Sequence, residues 1–474
     1  MSNTLKYFKE LCAIPHGSYN IDKISDYLVE FAEKNNLKVR QDELKNVIIT
    51  KKASAGYENA PGIIIQGHMD MVAVKDEGVE KNMETEGLDL VEEDGYLFAN
   101  GTSLGGDDGI AIAYAMDILT DESSKHPHLE CIFTVNEEVG MDGAVGIDMS
   151  DITGRYLINI DSEEEGVITT SCAGGVRLLS LLRIERNAIS CKDVYSLSFK
   201  GLKGGHSGTS IHEGRANACI LMGRLLDALS KAGKIEIMDI NGGEKDNAIA
   251  KVASLLFATD ISIEKLSDVI NEFDSVINEE YKGIEDEISI VVTPIKLEED
   301  TEYRCIDKTE NITRILCEVP NGVISYCDGI DMVKTSLNLG VMKLDDEGFK
   351  LDFCIRSSVT KEKEDLKDRV GVILAHYGCE LATSGDYPGW EYNPDSKLTK
   401  MFADAYEELF GKEPVVCGVH AGLECGILLE KKEGLDAVSI GPNILNIHTT
   451  KEKLDLKSVE RVKKLVDKVI ADMK

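Results

Sequence analysis

The sequence predicts an α/β fold in which a sheet-centred domain is interrupted by an α+β insertion, and three observations lead there. Runs such as Ile63-Ile64-Ile65, Leu129–Val135 and Tyr156–Ile160 have the branched, largely apolar character of strands buried on both faces, as in a parallel sheet. Each delivers a histidine or a carboxylate at or just past its end, and in open α/β sheets ligands gather outside the carboxyl ends of the strands. Between residues 175 and 384 the chain changes character, while the acid-bearing strands before that stretch and His448 after it must meet. The expected organisation is therefore a discontinuous domain, 1–174 plus 385–474, with residues 175–384 inserted as a lid.

Taken in order, the chain opens with two amphipathic helical patterns, Leu5–Leu11 and Ile21–Asn35, around Pro15-His16-Gly17-Ser18, whose histidine reads as structural. Val39–Gln41 and Val47–Thr50 read as short strands joined by a polar turn. The stretch Ile63–Asp70 is the strand on which the rest turns. His68 and Asp70 project on the same side of it, and a carboxylate beside a metal-binding imidazole can fix its tautomer. Residues 75–103 are polar and acidic, and close on Leu104-Gly105-Gly106-Asp107-Asp108-Gly109 before an alanine-rich helix. One aspartate suffices to cap that helix; if Asp108 does so, Asp107 is free to enter the crevice. The strand Leu129–Val135 runs into Asn136-Glu137-Glu138, two adjacent glutamates that are costly to bring together unless a cation compensates. Tyr156–Ile160 ends on Asp161.

The insertion alternates strand patterns (Val194–Lys200, Phe349–Ile355) with amphipathic helices (Ala216–Leu229, Ile263–Val276), the mark of an α+β unit. Its segments Tyr195–Leu229 and Leu351–His376 share a strand, loop, helix order that suggests a pseudo-repeat. After it come the stretch Val438–Thr450, with His448, and a last helix from Leu456 to Met473.

A length of 474 residues exceeds what one core usually serves, which also argues for two domains. The net charge of −33, from 85 acidic and 52 basic residues, argues against a nucleic-acid backbone or an anionic membrane face as partner. No stretch approaches the ~20 apolar residues of a membrane span. Twelve scattered cysteines without a C-x-x-C pair, and an amino terminus without an apolar signal core, place the chain in the reducing cytoplasm.

His68, Asp107, Glu138, Asp161 and His448 combine imidazole and carboxylate donors, the mixture that suits zinc. Two ions need a bridging carboxylate, and Asp107 at the helix start is the natural one, with His68 and Asp161 on one ion and Glu138 and His448 on the other. Such a pair activates a shared water and polarises a carbonyl, and Glu137, next to a ligand but free of the metal, can take the water's proton. A rival of another class is a calcium-stabilised binding protein. All-oxygen ligation would then be expected, and a non-ligand base would have no task.

In order, Gly67-His68-Met69-Asp70, Leu104–Gly109, Asn136–Gly140, Asp161–Gly166 and the late His448 resemble the motifs of the co-catalytic zinc peptidases that include peptidase T and carboxypeptidase G. Gly204–Gly208, Gly214–Ala218 and His420–Gly426 are similar to that family's aminoacyl-histidine dipeptidase branch, over the full length. The resemblance implies a catalytic domain with a mixed central sheet flanked by helices, plus an α+β lid. It implies two Zn2+ per subunit, with Co2+ or Mn2+ as substitutes, and hydrolysis of dipeptides including Xaa-His, with Asp70 and Glu137 in the catalytic machinery. His206 is then the lid residue that stabilises the oxyanion, within its own chain or across a homodimer. Asn217, Arg356, His420 and Glu424 are the expected substrate contacts, with Arg356 on the free carboxylate. The alternative is an N-acyl amino acid deacylase or an aminopeptidase of the same family.

Overall fold

A computed structural model of the chain describes residues 3–298 and 301–474. It divides into two compact units: Met1–Cys172, Tyr392–Gly418 and Leu423–Lys474 form the first, and Ala173–Glu391 with Val419–Gly422 the second. The first boundary lies two residues earlier than the sequence suggests and the second seven residues later. The strand Glu380–Tyr387 stays paired with Gly174–Leu182 as far as Tyr387, which carries the second unit past residue 384. The Ala173 N–H donates to Val419 O at 3.1 Å and Ala421 O at 3.0 Å, so the short stretch that bears His420 also belongs to the second unit.

The first unit is built on an eight-stranded sheet. We number its strands β1 (Lys38–Gln41), β2 (Val47–Lys51), β3 (Ile63–His68), β4 (Leu129–Thr134), β5 (Tyr156–Asn159), β6 (Val167–Cys172), β7 (Val415–Val419) and β8 (Asp436–Ser439). Their order is β1-β2-β4-β3-β5-β8-β6-β7. The middle strands β4, β3, β5 and β8 run parallel, and β1, β2 and β6 antiparallel to their neighbours, so the sheet is mixed. All six residues of β3 are buried, and Ile63, Ile64 and Ile65 contribute about 1.5–3 kcal/mol each by leaving water. The helix Gly106–Thr120 packs on β3 and is apolar all round, as a helix enclosed by the core must be. Gly67 permits that packing: a Cβ there would come within 2.4 Å of both Ala111 Cβ and Asp108 Oδ2. Inside the polar stretch 75–103 lies a hairpin of two four-residue strands, Leu90–Glu93 with Tyr96–Ala99.

The second unit carries a nine-stranded sheet whose pairings are antiparallel throughout. Asp193–Lys200 and Phe349–Ser357 are two of its strands, each followed by a helix, Ala218–Ala232 and Thr360–His376. None of the twelve cysteines is joined in a disulfide. Among the described residues no helix is long and apolar enough to cross a membrane.

Candidate active site

At the carboxyl ends of β3, β4 and β5 the first unit gathers two imidazoles and their carboxylates. His68 is 1% exposed at the end of β3, with Nδ1 2.9 Å from the main-chain oxygen of Asp70. Its Nε2 lies 3.1 Å from Asp107 Oδ1 and 3.5 Å from Asp161 Oδ1. The other oxygen of Asp107, Oδ2, lies 3.0 Å from His448 Nε2, and Glu138 Oε1 lies 2.9 Å from that same nitrogen. Asp107 therefore stands between two imidazoles with one oxygen toward each. His448 reaches the cluster from a loop, in left-handed backbone with φ 60°.

The electrostatics suit a cation. Burial would depress the His68 pKa, but the hydrogen bonds from Asp107, Asp161 and Asp70 lift it well above the ordinary value. Contacts with Asp107 and Glu138 raise His448 to about 10. Burial pushes Asp161 up to about 7 against the pull of His68. Burial also acts to raise Asp107, yet the two imidazoles hold it below the usual carboxylate range. The carboxylates favour charged imidazoles at His68 and His448, a balancing role that a divalent ion could take. The donor set fits metal on a second count: Glu138 Oε1, although close to His448, accepts no well-formed hydrogen bond. Donor atoms of His68, Asp107 and Glu138 lie within 4.8 Å of one another, as do those of His68, Asp108 and Asp161.

Glu137 follows β4 on a single 3-10 turn and is held by its backbone, whose N–H donates to Asp70 Oδ1 at 3.0 Å. Burial raises its carboxyl well above the ordinary range; His68 opposes this, and the charges of Asp161, Glu424 and Glu138 add to it. Asp70 stands beside the His68 ring as expected, Oδ1 3.5 Å from Nδ1, and has further partners. Its carboxylate accepts Ser18 Oγ at 2.8 Å and the Glu137 N–H, and the close partner of the His68 ring is its carbonyl.

Two supports were out of reach of sequence reasoning. Neither aspartate caps the helix Gly106–Thr120; Asp108 Oδ2 accepts the His68 N–H at 3.1 Å instead. The cap is Glu452, whose carboxylate accepts the N–H groups of Leu104, Gly105 and Gly106 at 2.7–3.1 Å from some 350 residues away. Only its place four residues after His448 could have drawn attention to it.

The second unit assembles another group. His206 Nδ1 accepts the N–H groups of Gly208 and Thr209, both at 3.2 Å, which leaves the ring proton on Nε2. Arg356 donates to Tyr387 OH at 3.0 Å, and its buried Nε has no partner. His420 Nε2 lies 2.7 Å from Ser336 Oγ, and burial with the nearby charge of Arg356 takes its pKa down to about 3.

Two expected substrate contacts have structural work. Asn217 caps the helix Ala218–Ala232 by accepting the N–H groups of Cys219 and Ile220, and its Nδ2 donates to Leu339 O at 2.8 Å. Glu424 is 0% exposed, and its Oε2 accepts Gln66 Nε2 and Thr134 Oγ1, both at 2.6 Å, so it braces the ends of β3 and β4 from beneath. The polar atoms of Asn217 are thus engaged in the fold, as is one oxygen of Glu424, whose buried Oε1 has no partner.

The fold and the paired-imidazole cluster are those of a metallopeptidase. Residues 64–472 match Peptidase family M20/M25/M40, and the chain belongs to that family. It is 33% identical over 456 residues to the cytosol non-specific dipeptidase of Escherichia coli K12, covering 95% of this chain and 93% of that protein. Among solved structures it is similar to aminoacylhistidine dipeptidase from Vibrio alginolyticus, at 32% identity and a TM-score of 0.93, over 99% of this chain and 96% of the other. The aminopeptidase PepT from Bacillus cereus shares the fold at 16% identity and a TM-score of 0.57, over 99% and 98% of the two chains.

Proposed function

We propose that this chain is a cytoplasmic two-zinc dipeptidase that cleaves the amide bond of short peptides, dipeptides of the Xaa-His type included. The observation that carries it is Asp107, whose two oxygens lie 3.1 Å and 3.0 Å from the imidazoles of His68 and His448. His68 and Asp161 would hold one ion, Glu138 and His448 the other, and Asp107 would bridge them. When bound, the pair supplies a water of lowered pKa and a polarised carbonyl.

The chain's own residues do the rest. Glu137, poised by the Asp70 carboxylate, takes a proton from the attacking water at its carboxyl oxygen and passes it to the leaving nitrogen. Its raised affinity for protons when buried suits an acid that must hand the proton on. His206, with its proton on Nε2, is the donor for the developing oxyanion, and the partnerless Nε of Arg356 is left for the free carboxylate of the substrate.

Side-by-side assays of an Xaa-His dipeptide, a tripeptide and an acetyl-amino acid test this, with metal content measured on the same sample. Dipeptide turnover with about two ions per chain is expected. Preferential cleavage of the acetylated substrate would replace the reading with a deacylase, and of the tripeptide with an aminopeptidase.

A further inference from the structure

A cavity of about 680 Å³ in the first unit opens beside Glu138, and apart from Glu138 and Ser18 its lining has had no part in the site described above. It is walled by the loop 17–20, by residues 71–73 and 83–84, and by Glu138 with Val139. Three features point to a ligand. The lining is largely apolar and includes side chains that solvent reaches: Tyr19 is 72% exposed and Val139 45%. The lining contains no basic residue but two carboxylates, of which Glu138 is paired with His448 while Glu84 makes no ion pair among the described residues. The lysines of the same loop are occupied, Lys75 on the Lys81 carbonyl and Lys81 on Asp89 and the Gly87 carbonyl.

The wall is also held under constraint. Tyr19 sits in left-handed backbone, φ 65°, which a non-glycine residue adopts at a cost and keeps only where its surroundings enforce it. Here the Tyr19 N–H donates to Asn136 Oδ1 at 2.8 Å, Ser18 Oγ to Asp70 Oδ2 at 2.8 Å, and Asn20 Nδ2 to the Glu84 carbonyl at 3.0 Å. The loop that presents an exposed aromatic ring is thereby fastened to the residues flanking the general base.

We infer that this cavity receives the first residue of the substrate, its side chain against Tyr19, Met83 and Val139 and its ammonium group at Glu84. The inference rests on the dipeptidase reading. A free carboxylate would meet only like charge here, whereas an ammonium finds an uncommitted partner beside an apolar wall.

Two exposed positions make the test. In Glu84→Gln the KM for Ala-His should rise about tenfold with kcat within about twofold, and the wild type's preference for Ala-His over its desamino analogue propionyl-His, read as KM against Ki, should shrink by the same factor. In Tyr19→Gly, where glycine suits the backbone, the kcat/KM ratio of Phe-His to Gly-His should fall about tenfold, the worth of a lost apolar wall. Unchanged ratios, or parallel losses on every substrate, overturn the inference while leaving the dipeptidase reading in place. A wild type that cleaves no dipeptide overturns that reading and this subsite with it.

Discussion

Each unit sets a pair of histidines beside charged groups, and the two pairs behave oppositely. Burial disfavours the charged imidazole in both places. In the first unit His68 and His448 stand among carboxylates, and both pKa values rise, His448 to about 10. In the second, His206 and His420 have Arg356 as their charged neighbour, and both fall, His420 to about 3. The same side chain is thus drawn toward its charged form in one unit and its neutral form in the other, with the sign of the neighbouring charges setting the difference. The proposed reaction uses that division, with metal held in one place and a substrate carboxylate in the other.

The largest effect should come at the base between the first cluster's ligands. Glu137→Gln should lower kcat about 10³-fold with metal content unchanged, because a general base contributes that order of rate and Gln keeps the backbone contact to Asp70. Turnover near wild type would remove it from the chemistry.

Within the first cluster the two imidazoles differ: the His68 side chain is 1% exposed, that of His448 44%. In the metal-free protein His68→Ala should cost about 3 kcal/mol in urea unfolding, since it strands buried carboxylates, and His448→Ala less than about 1 kcal/mol. Equal losses would erase the distinction between an enclosed corner and an open one.

The anion cluster is probed by Arg356→Met. KM for a dipeptide should rise about 30-fold, while the corresponding dipeptide amide, which has no carboxylate to lose, should respond far less. Parallel losses would mean that Arg356 serves the fold.

Acid stability probes the same cluster through His420. His420 has a folded pKa of about 3, below the ordinary 6.5, so its contribution is fully present above pH 6.5 and is lost as pH falls toward 3. His420→Gln should flatten the stability profile in that window by at most about 1.4 kcal/mol per pH unit. A profile as steep as wild type would show that other groups set it.

Much of the cluster was legible because buried strands that end in acids break the expected apolar pattern. His68, Glu138 and Asp161 each follow such a run, and Asp107 exceeds what a helix start requires. The cap was misassigned because the sequence shows which groups could accept the Leu104–Gly106 N–H groups nearby, and the actual acceptor is Glu452. The fold contacts of Asn217 and Glu424 were hidden for a related reason: a polar residue in a glycine-rich setting reads the same whether or not hydrogen bonds tie it to Leu339 or Gln66.

By itself the sequence determined the two-part α/β plan, the strand ends that bear acids and a histidine, and the glutamate proposed as base beside them, because hydrophobic period and local order encode these directly. Only the tertiary structure decided that Asp107 faces an imidazole with each oxygen, that the Asp70 carboxylate holds Glu137, and that residues 419–422 join the second unit. Those are partnerships between groups far apart in the chain, and a hydrogen bond depends on distance and direction in space, which residue order does not specify.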